Sequence, residues 1–176
     1  MEENGYNCAY KMRTGSNMEG CSIFWKYDKF EFENVYAIEF NSNTKSFIYD
    51  RDNVCLFTLL RLKSDRNILF IVANTHILFN LNRGDIKIAQ VYQILNTIAY
   101  LKNIYSNDKN VNNDNNRKDN FNDISIDNKY TKIISFLCGD FNAIPSSPLY
   151  NLITTGEISN CKKLNIKRVN TYYTIY

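Results

Sequence analysis

In the first half of the chain the apolar residues fall into four short blocks. Residues 21–27 (CSIFWKY) and 30–40 (FEFENVYAIEF) read as strands, the second alternating with a period of two. Residues 54–62 (VCLFTLLRL) and 68–74 (ILFIVAN) are near-continuously apolar, which predicts central strands buried on both faces. Asp65-Arg66-Asn67 between them suits a hairpin turn. The period then changes. Within residues 86–105, Ile88, Val91, Leu95, Ile98 and Leu101 recur every three or four positions, so an amphipathic helix is predicted, opened by Gly84-Asp85. Asp85 suits the positive end of that helix's dipole. Residues 132–138 (KIISFLC) predict a further buried strand. Ser147-Pro148 predicts the N-cap and first position of a short helix over 149–153. This order of strands and helices suits a sheet covered by helices.

One stretch breaks the pattern. Residues 106–129 are rich in asparagine and almost free of aliphatic side chains, so they cannot bury enough surface to offset the entropy of ordering. They read as a disordered insertion. The aromatic tail TYYTIY at 171–176 reads as core or strand packing rather than a base-stacking surface.

Composition narrows the class. The 176 residues are 44% hydrophobic and carry 21 Lys and Arg against 18 Asp and Glu. A net charge of +3 excludes a strongly basic nucleic-acid tail and an acidic solvating chain. The single histidine, His76, excludes a His-cluster zinc site and any reaction that needs two imidazoles. Five widely spaced cysteines, an odd number with no CxxC, read as reduced and buried thiols of an intracellular protein. The N-terminal residues lack the apolar core of a signal peptide, and no run approaches membrane-span length. The expected location is intracellular, cytoplasmic rather than nuclear, with no membrane partner.

Three polar clusters stand at strand ends, where loops on a rigid sheet carry chemistry. Gly139-Asp140-Phe141-Asn142 follows the strand over 132–138. Alternation would place Asp140 and Asn142 on one side, where a carboxylate could hold a water while an amide donates to a phosphate oxygen. An ordinary turn capped by Asp and Asn fits the same spacing. Asn74-Thr75-His76 ends the strand over 68–74; His76 there is either a hydrogen-bonded loop residue or a donor to phosphate. Arg51-Asp52-Asn53, just before Val54, reads as a strand-start cap or a surface ion pair.

Four collinear motifs carry a resemblance: GCSIFWK at 20–26, RDNV at 51–54, VANTHILFNLNRGDIKIAQ at 72–90 and GDFNAIPSSPLY at 139–150. Together they resemble the endonuclease/exonuclease/phosphatase (DNase-I-like) superfamily, most closely its deadenylase branch of Angel, nocturnin and Ccr4-type proteins. The resemblance implies a four-layer α/β sandwich, incomplete at both ends, with residues 1–176 as part of one domain. It implies phosphodiester hydrolysis dependent on Mg²⁺, with Mn²⁺ as a substitute, and a 3′ exoribonuclease of deadenylase type. The implied partners are RNA 3′ ends or poly(A), and proteins of a deadenylase complex. By the same resemblance Asp140 orients or deprotonates the attacking water, Asn142 holds the scissile phosphate or positions Asp140, and His76 contacts the phosphate.

The family's pattern also includes a metal-binding Glu upstream of the segment matching residues 5–15, and a downstream Ser-Asp-His. Neither is found here, and Glu19 stands where relatives usually have Asp. Two expectations follow. The chain is the middle of a longer enzyme, or it is a non-catalytic module that binds RNA or protein. Unpaired strand edges at both ends of a truncated sheet favour the first.

Overall fold

The structure, a computed structural model, describes residues 4–41, 50–106, 130–145 and 147–156. Six strands and two helices follow one another as β1 (Tyr6–Met12), β2 (Gly20–Lys26), β3 (Phe30–Asn41), β4 (Asp50–Leu62), β5 (Ile68–His76), α1 (Gly84–Tyr105), β6 (Lys132–Asp140) and α2 (Pro148–Thr155). β1 and β2 form an antiparallel pair. The others form a four-stranded sheet in the order β3-β4-β5-β6, antiparallel except for β5 and β6. That parallel pair is joined by α1, the crossover that parallel neighbours require.

β4 explains the layering. Its odd positions Cys55, Phe57 and Leu59 pack with Ile88, Val91 and Ile94 of α1 and Leu149 and Leu152 of α2. Its even positions Val54, Leu56 and Leu60 pack with Cys21, Ile23 and Trp25 of β2. A strand buried on both faces needs apolar residues at nearly every position, and from Val54 to Leu60 its sequence supplies them at all but Thr58. The described residues therefore build three successive layers of an α/β sandwich: helices, the four-stranded sheet, and the two-stranded sheet.

The β4 and β5 strands and both helices lie where the apolar pattern placed them, with bounds shifted by a few residues. Ser147 caps α2 through a hydrogen bond from the Tyr150 amide (3.1 Å), and Gly156 closes it in the left-handed region. The hairpin also holds, since Asp65 Oδ1 accepts from the Asn67 amide at 3.0 Å. Three expectations fail. β6 is half-exposed rather than buried, because it stands at the edge of the described sheet and its inner face opens on the cleft between the sheets. Cys138 on that strand and Cys8 on β1 are accordingly exposed, while Cys21 and Cys55 are buried. β1 itself was missed: its outward residues Tyr6, Cys8 and Tyr10 are polar or aromatic and only Ala9 packs on the core, so no apolar block marks it. The alternation of β3 is broken by a register shift between Phe32 and Asn34.

Residues 107–129, the asparagine-rich segment but for its first residue, lie outside the described residues, as do residues 157–176 with the aromatic tail. The described residues that flank the former meet. Ser106 bridges Tyr130, and the Tyr130 amide donates to the Tyr105 carbonyl at 2.9 Å. Replacing residues 107–129 by a short Gly-Ser linker is therefore expected to raise stability by about 1 kcal/mol, the loop-closure entropy recovered. Urea midpoints measure it; a fall of that size would mean the segment packs on the fold.

Candidate active site

The parallel register of β5 and β6 pairs His76 with Asp140 at the carboxyl ends of the two strands. Both sit on the face turned toward the two-stranded sheet, in line with Phe70 and Phe136, whose rings stack at 6.1 Å. His76 Nε2 lies 4.0 Å from Asp140 Oδ2, with the two side chains 47% and 67% exposed. That gap is too long for a direct hydrogen bond. A single water oxygen between them can bond to both at once, accepting from the imidazole and donating to the carboxylate.

Gly139 makes this pairing possible. Its φ is +134°, and a Cβ there would stand 1.9 Å from the Thr75 carbonyl oxygen. The backbones of β5 and β6 approach so closely that no other residue fits without moving a strand. Thr75 is fixed in turn by its hydroxyl, which donates to the Val54 carbonyl at 2.9 Å.

Beyond Asp140 the chain leaves the strand, so alternation no longer governs Asn142, and the same-side expectation fails. Asn142 adopts a left-handed conformation with φ 45°. Its side-chain amide donates to the Ile77 carbonyl at 2.9 Å, and its backbone amide donates to Asp140 Oδ1 at 2.8 Å. The Ile77 amide closes the turn on the Asp140 carbonyl at 2.9 Å. Here Asn142 orients Asp140 and ties the loop after β6 to the loop after β5. Asp140 Oδ1 is engaged, and Oδ2 faces His76.

Two residues lock His76 from behind: Asn53, read from the sequence only as part of a strand-start cap or surface ion pair, and Gln90, which sequence reasoning did not single out. Asn53, buried on β4, donates to the His76 carbonyl at 2.8 Å. Gln90 of α1, fully buried, donates to Asn53 Oδ1 at 3.4 Å and accepts from the Leu78 amide at 3.1 Å. A buried polar residue inside an apolar helical face was the available signal, because such a group persists only when it is bonded. Asn74 donates to the Ser22 carbonyl at 2.9 Å and joins the two sheets just below His76.

Arg51-Asp52-Asn53 divides into separate tasks and lies inside β4 rather than before it. Arg51 pairs with Asp50 at the surface. Asp52 Oδ1 accepts from the Thr14 hydroxyl at 2.7 Å and from the Asn41 amide at 3.0 Å, pinning the β1–β2 turn to the start of β4. These bonds, Asn41 first, hold the Asp52 carboxyl below its ordinary value of 3.8 against the opposing effect of desolvation. Burial pushes the Cys21 and Cys55 thiols up, so neither is a thiolate nucleophile at neutral pH.

The chain is 36% identical over 172 residues to protein angel homolog 2 of Bos taurus, an alignment spanning 97% of this chain and 27% of that protein. It is 34% identical over 163 residues to carbon catabolite repressor protein 4 homolog 3 of Arabidopsis thaliana, spanning 90% of this chain and 29% of the relative. The crystal structure of ANGEL2, a 2′,3′-cyclic phosphatase, superposes with a TM-score of 0.65 at 38% identity, covering 86% of this chain and 36% of that one. The chain belongs to the endonuclease/exonuclease/phosphatase superfamily. Within that superfamily it falls on the branch of the Angel and CCR4-like proteins, though no family model matches it. The human nocturnin catalytic domain shares the fold at 18% identity and a TM-score of 0.63. The chain spans less than a third of the length of these two curated relatives.

The superfamily resemblance carried an expectation of Mg²⁺. Among the described residues no group of three His, Cys, Asp or Glu side chains converges as a metal site. A hard cation takes about six oxygen ligands, and Asp140 offers one carboxylate. The described residues do not build a Mg²⁺ site by themselves. No described helix is long and apolar enough to cross a membrane.

Two outcomes are expected from this geometry. Gly139→Ala should cost about 3 kcal/mol or more in chemical denaturation, because the clash is with backbone and φ is positive; a loss under 1 kcal/mol would mean that the strands can part. Asp52 supplies a pH signature. Its folded value lies below its unfolded one, so its stabilisation is complete above the unfolded value of 3.8 and is lost as pH falls through the lower, folded value. The stability gap between wild type and Asp52→Asn, followed by urea midpoint, should be largest at neutral pH and close in that acid window. A gap independent of pH would remove the carboxylate from the account.

Proposed function

We propose that the protein carrying this chain hydrolyses a phosphoester at an RNA 3′ end, with His76 donating to a phosphate oxygen and Asp140 directing the attacking water. The observation that carries this reading is the His76–Asp140 pair, 4.0 Å apart at the carboxyl ends of adjacent parallel strands. Its backbones are held by Asn53, Gln90 and Asn142, so the reacting groups need little reorganisation. Asn142 serves as the residue that positions Asp140. A divalent cation, Mg²⁺ or Mn²⁺, would polarise the phosphoryl group when bound.

Within the class of RNA 3′ ends two substrates compete. The deadenylase motifs point to removal of 3′-terminal adenylates. The likeness to ANGEL2, a 2′,3′-cyclic phosphatase, supports opening of a terminal cyclic phosphate. One observation favours a second reading, a non-catalytic RNA- or protein-binding module: no metal site forms among the described residues.

The test uses the complete protein with Mg²⁺, and with Mn²⁺ in a parallel arm. Poly(A)-tailed RNA and RNA ending in a 2′,3′-cyclic phosphate are offered separately. One of them should be turned over, and Asp140→Ala should lower the rate by about 10²–10⁴-fold, the usual loss for a positioned acid–base group. Turnover of neither substrate, with RNA still bound, would leave the binding reading. Activity near wild type in Asp140→Ala would remove Asp140 from the reaction.

A further inference from the structure

Lys87 breaks two local rules at once. It is only 5% exposed, yet no carboxylate among the described residues forms an ion pair with it. It also stands in the first turn of α1, where the helix dipole is already positive and a cation is disfavoured. The acid in that turn, Asp85, does not relieve it. Arg83 takes up that carboxylate at 2.9 and 3.0 Å, and helix residues two apart do not face each other. A buried, uncompensated cation is among the costlier arrangements in a protein interior.

What the ammonium does is specific. It donates to the carbonyl of Asn142 at 2.8 Å. Asn142 is the residue whose backbone amide holds Asp140 Oδ1 and whose side chain holds the Ile77 carbonyl. Lys87 therefore supports the turn between the two loops that carry Asp140 and His76. An ammonium has three donors, and this bond uses one. A residue that breaks local rules with no counter-charge beside it is expected at a functional or strained site.

We propose that Lys87 is a positioning residue of the phosphate site: its buried ammonium holds the Asp140–Asn142 turn and supplies a fixed positive charge that a bound phosphate group neutralises. This rests on the reading of the His76–Asp140 mouth as a phosphate site, but it concerns the anion rather than the reaction. Arg83, Arg51 and Arg13 are each spent on a carboxylate or a backbone carbonyl, so they leave this role to Lys87.

The experiment titrates inorganic phosphate into the folded protein, as wild type, Lys87→Met, Lys87→Gln and Lys87→Arg, with a thermal melt of each. Lys87→Met should weaken phosphate binding about tenfold or more, the scale of one unit charge removed from beside an anion near a protein surface. Lys87→Arg, which keeps the charge, should retain it within about threefold by the same scale. Lys87→Met also leaves the Asn142 carbonyl without its donor, so its melting temperature should fall, and Lys87→Gln, which keeps a donor there and drops the charge, separates the two roles. Phosphate binding should be lost in both variants, whereas a purely structural lysine would lose it in Lys87→Met and keep it in Lys87→Gln.

Wild-type protein that binds no phosphate, or Lys87→Met that binds it as wild type does, overturns the proposal. So does a loss of binding in Lys87→Met that Lys87→Gln restores. Lys87→Gln carries the same comparison with wild type if Lys87→Met does not fold. Phosphate binding is read without turnover, which separates the two readings. Lys87-dependent binding in a protein that hydrolyses no RNA 3′ phosphoester would refute the catalytic reading alone. Hydrolysis by a protein whose phosphate affinity ignores Lys87 would refute this proposal alone.

Discussion

The close approach of β5 and β6 at Thr75 and Gly139 is the constraint on which the site depends. A space of 1.9 Å between the place of a Cβ and a carbonyl oxygen admits only hydrogen. With that contact made, the parallel register puts His76 opposite Asp140, and two groups 64 residues apart in sequence meet at one mouth. The contact also spares the site an entropic cost, since the backbones that hold the reacting groups are set by sheet hydrogen bonds rather than by flexible loops. Loops then make the final adjustment. Asn142, left-handed and bonded three ways, turns the chain so that one carboxylate oxygen of Asp140 is held and the other looks outward.

α1 links stability to the site. Its apolar face, with Ile88, Val91, Ile94, Ile98 and Leu101, seals the outer side of the sheet. Its first two turns carry Lys87 and Gln90, which reach the loops after β6 and β5 respectively. Removing a buried partner leaves another group unsatisfied, at about 1–3 kcal/mol each. For Gln90 the groups at risk are the Leu78 amide and Asn53, and Asn53 in turn holds His76. A change in this helix is thus felt at the imidazole without any contact to it.

Much of this was legible in the chain, and the failures share a cause. Continuous apolar runs located β4 and β5, a spacing of three and four located α1, and Ser147-Pro148 opened α2, because each pattern is imposed by burial or capping within a few residues. β1 left no such mark, since only one of its faces meets a core and that face contributes Ala9. β6 looked central from its apolar residues, but burial depends on what covers a strand, and a strand's own sequence does not state that. The site divided the same way. His76, Asp140 and Asn142 were visible as strand-end clusters. The tie from Asn142 to Ile77, and the Asn53–Gln90 pair behind His76, rest on contacts across 37 to 65 residues that no local spacing encodes.

The opposite end of the sheet shows why these residues, and not any polar cluster, make a candidate site. Tyr36 and Tyr105 share a hydroxyl hydrogen bond at 2.8 Å, Asn34 donates to both, and burial pushes the Tyr36 phenol up beyond any physiological titration. Arg61 pairs with Glu31 at 2.7 Å and Glu33 at 3.6 Å, and Arg66 adds a third contact. That end is as polar as the mouth, yet each group is spent on a neighbour within the fold, so it braces the structure and offers a ligand little. The inter-sheet cleft of about 360 Å³ fails for the converse reason, being lined by Ile23, Trp25, Phe70, Val72 and Phe136, with no carboxylate in its walls. At the mouth bonding capacity remains open on one oxygen of Asp140 and the exposed ring of His76, and behind Asn142 lies an ammonium with no counterion among the described residues. Chemistry requires groups that are fixed in place and still unsatisfied, and this combination occurs where β5, β6 and α1 converge.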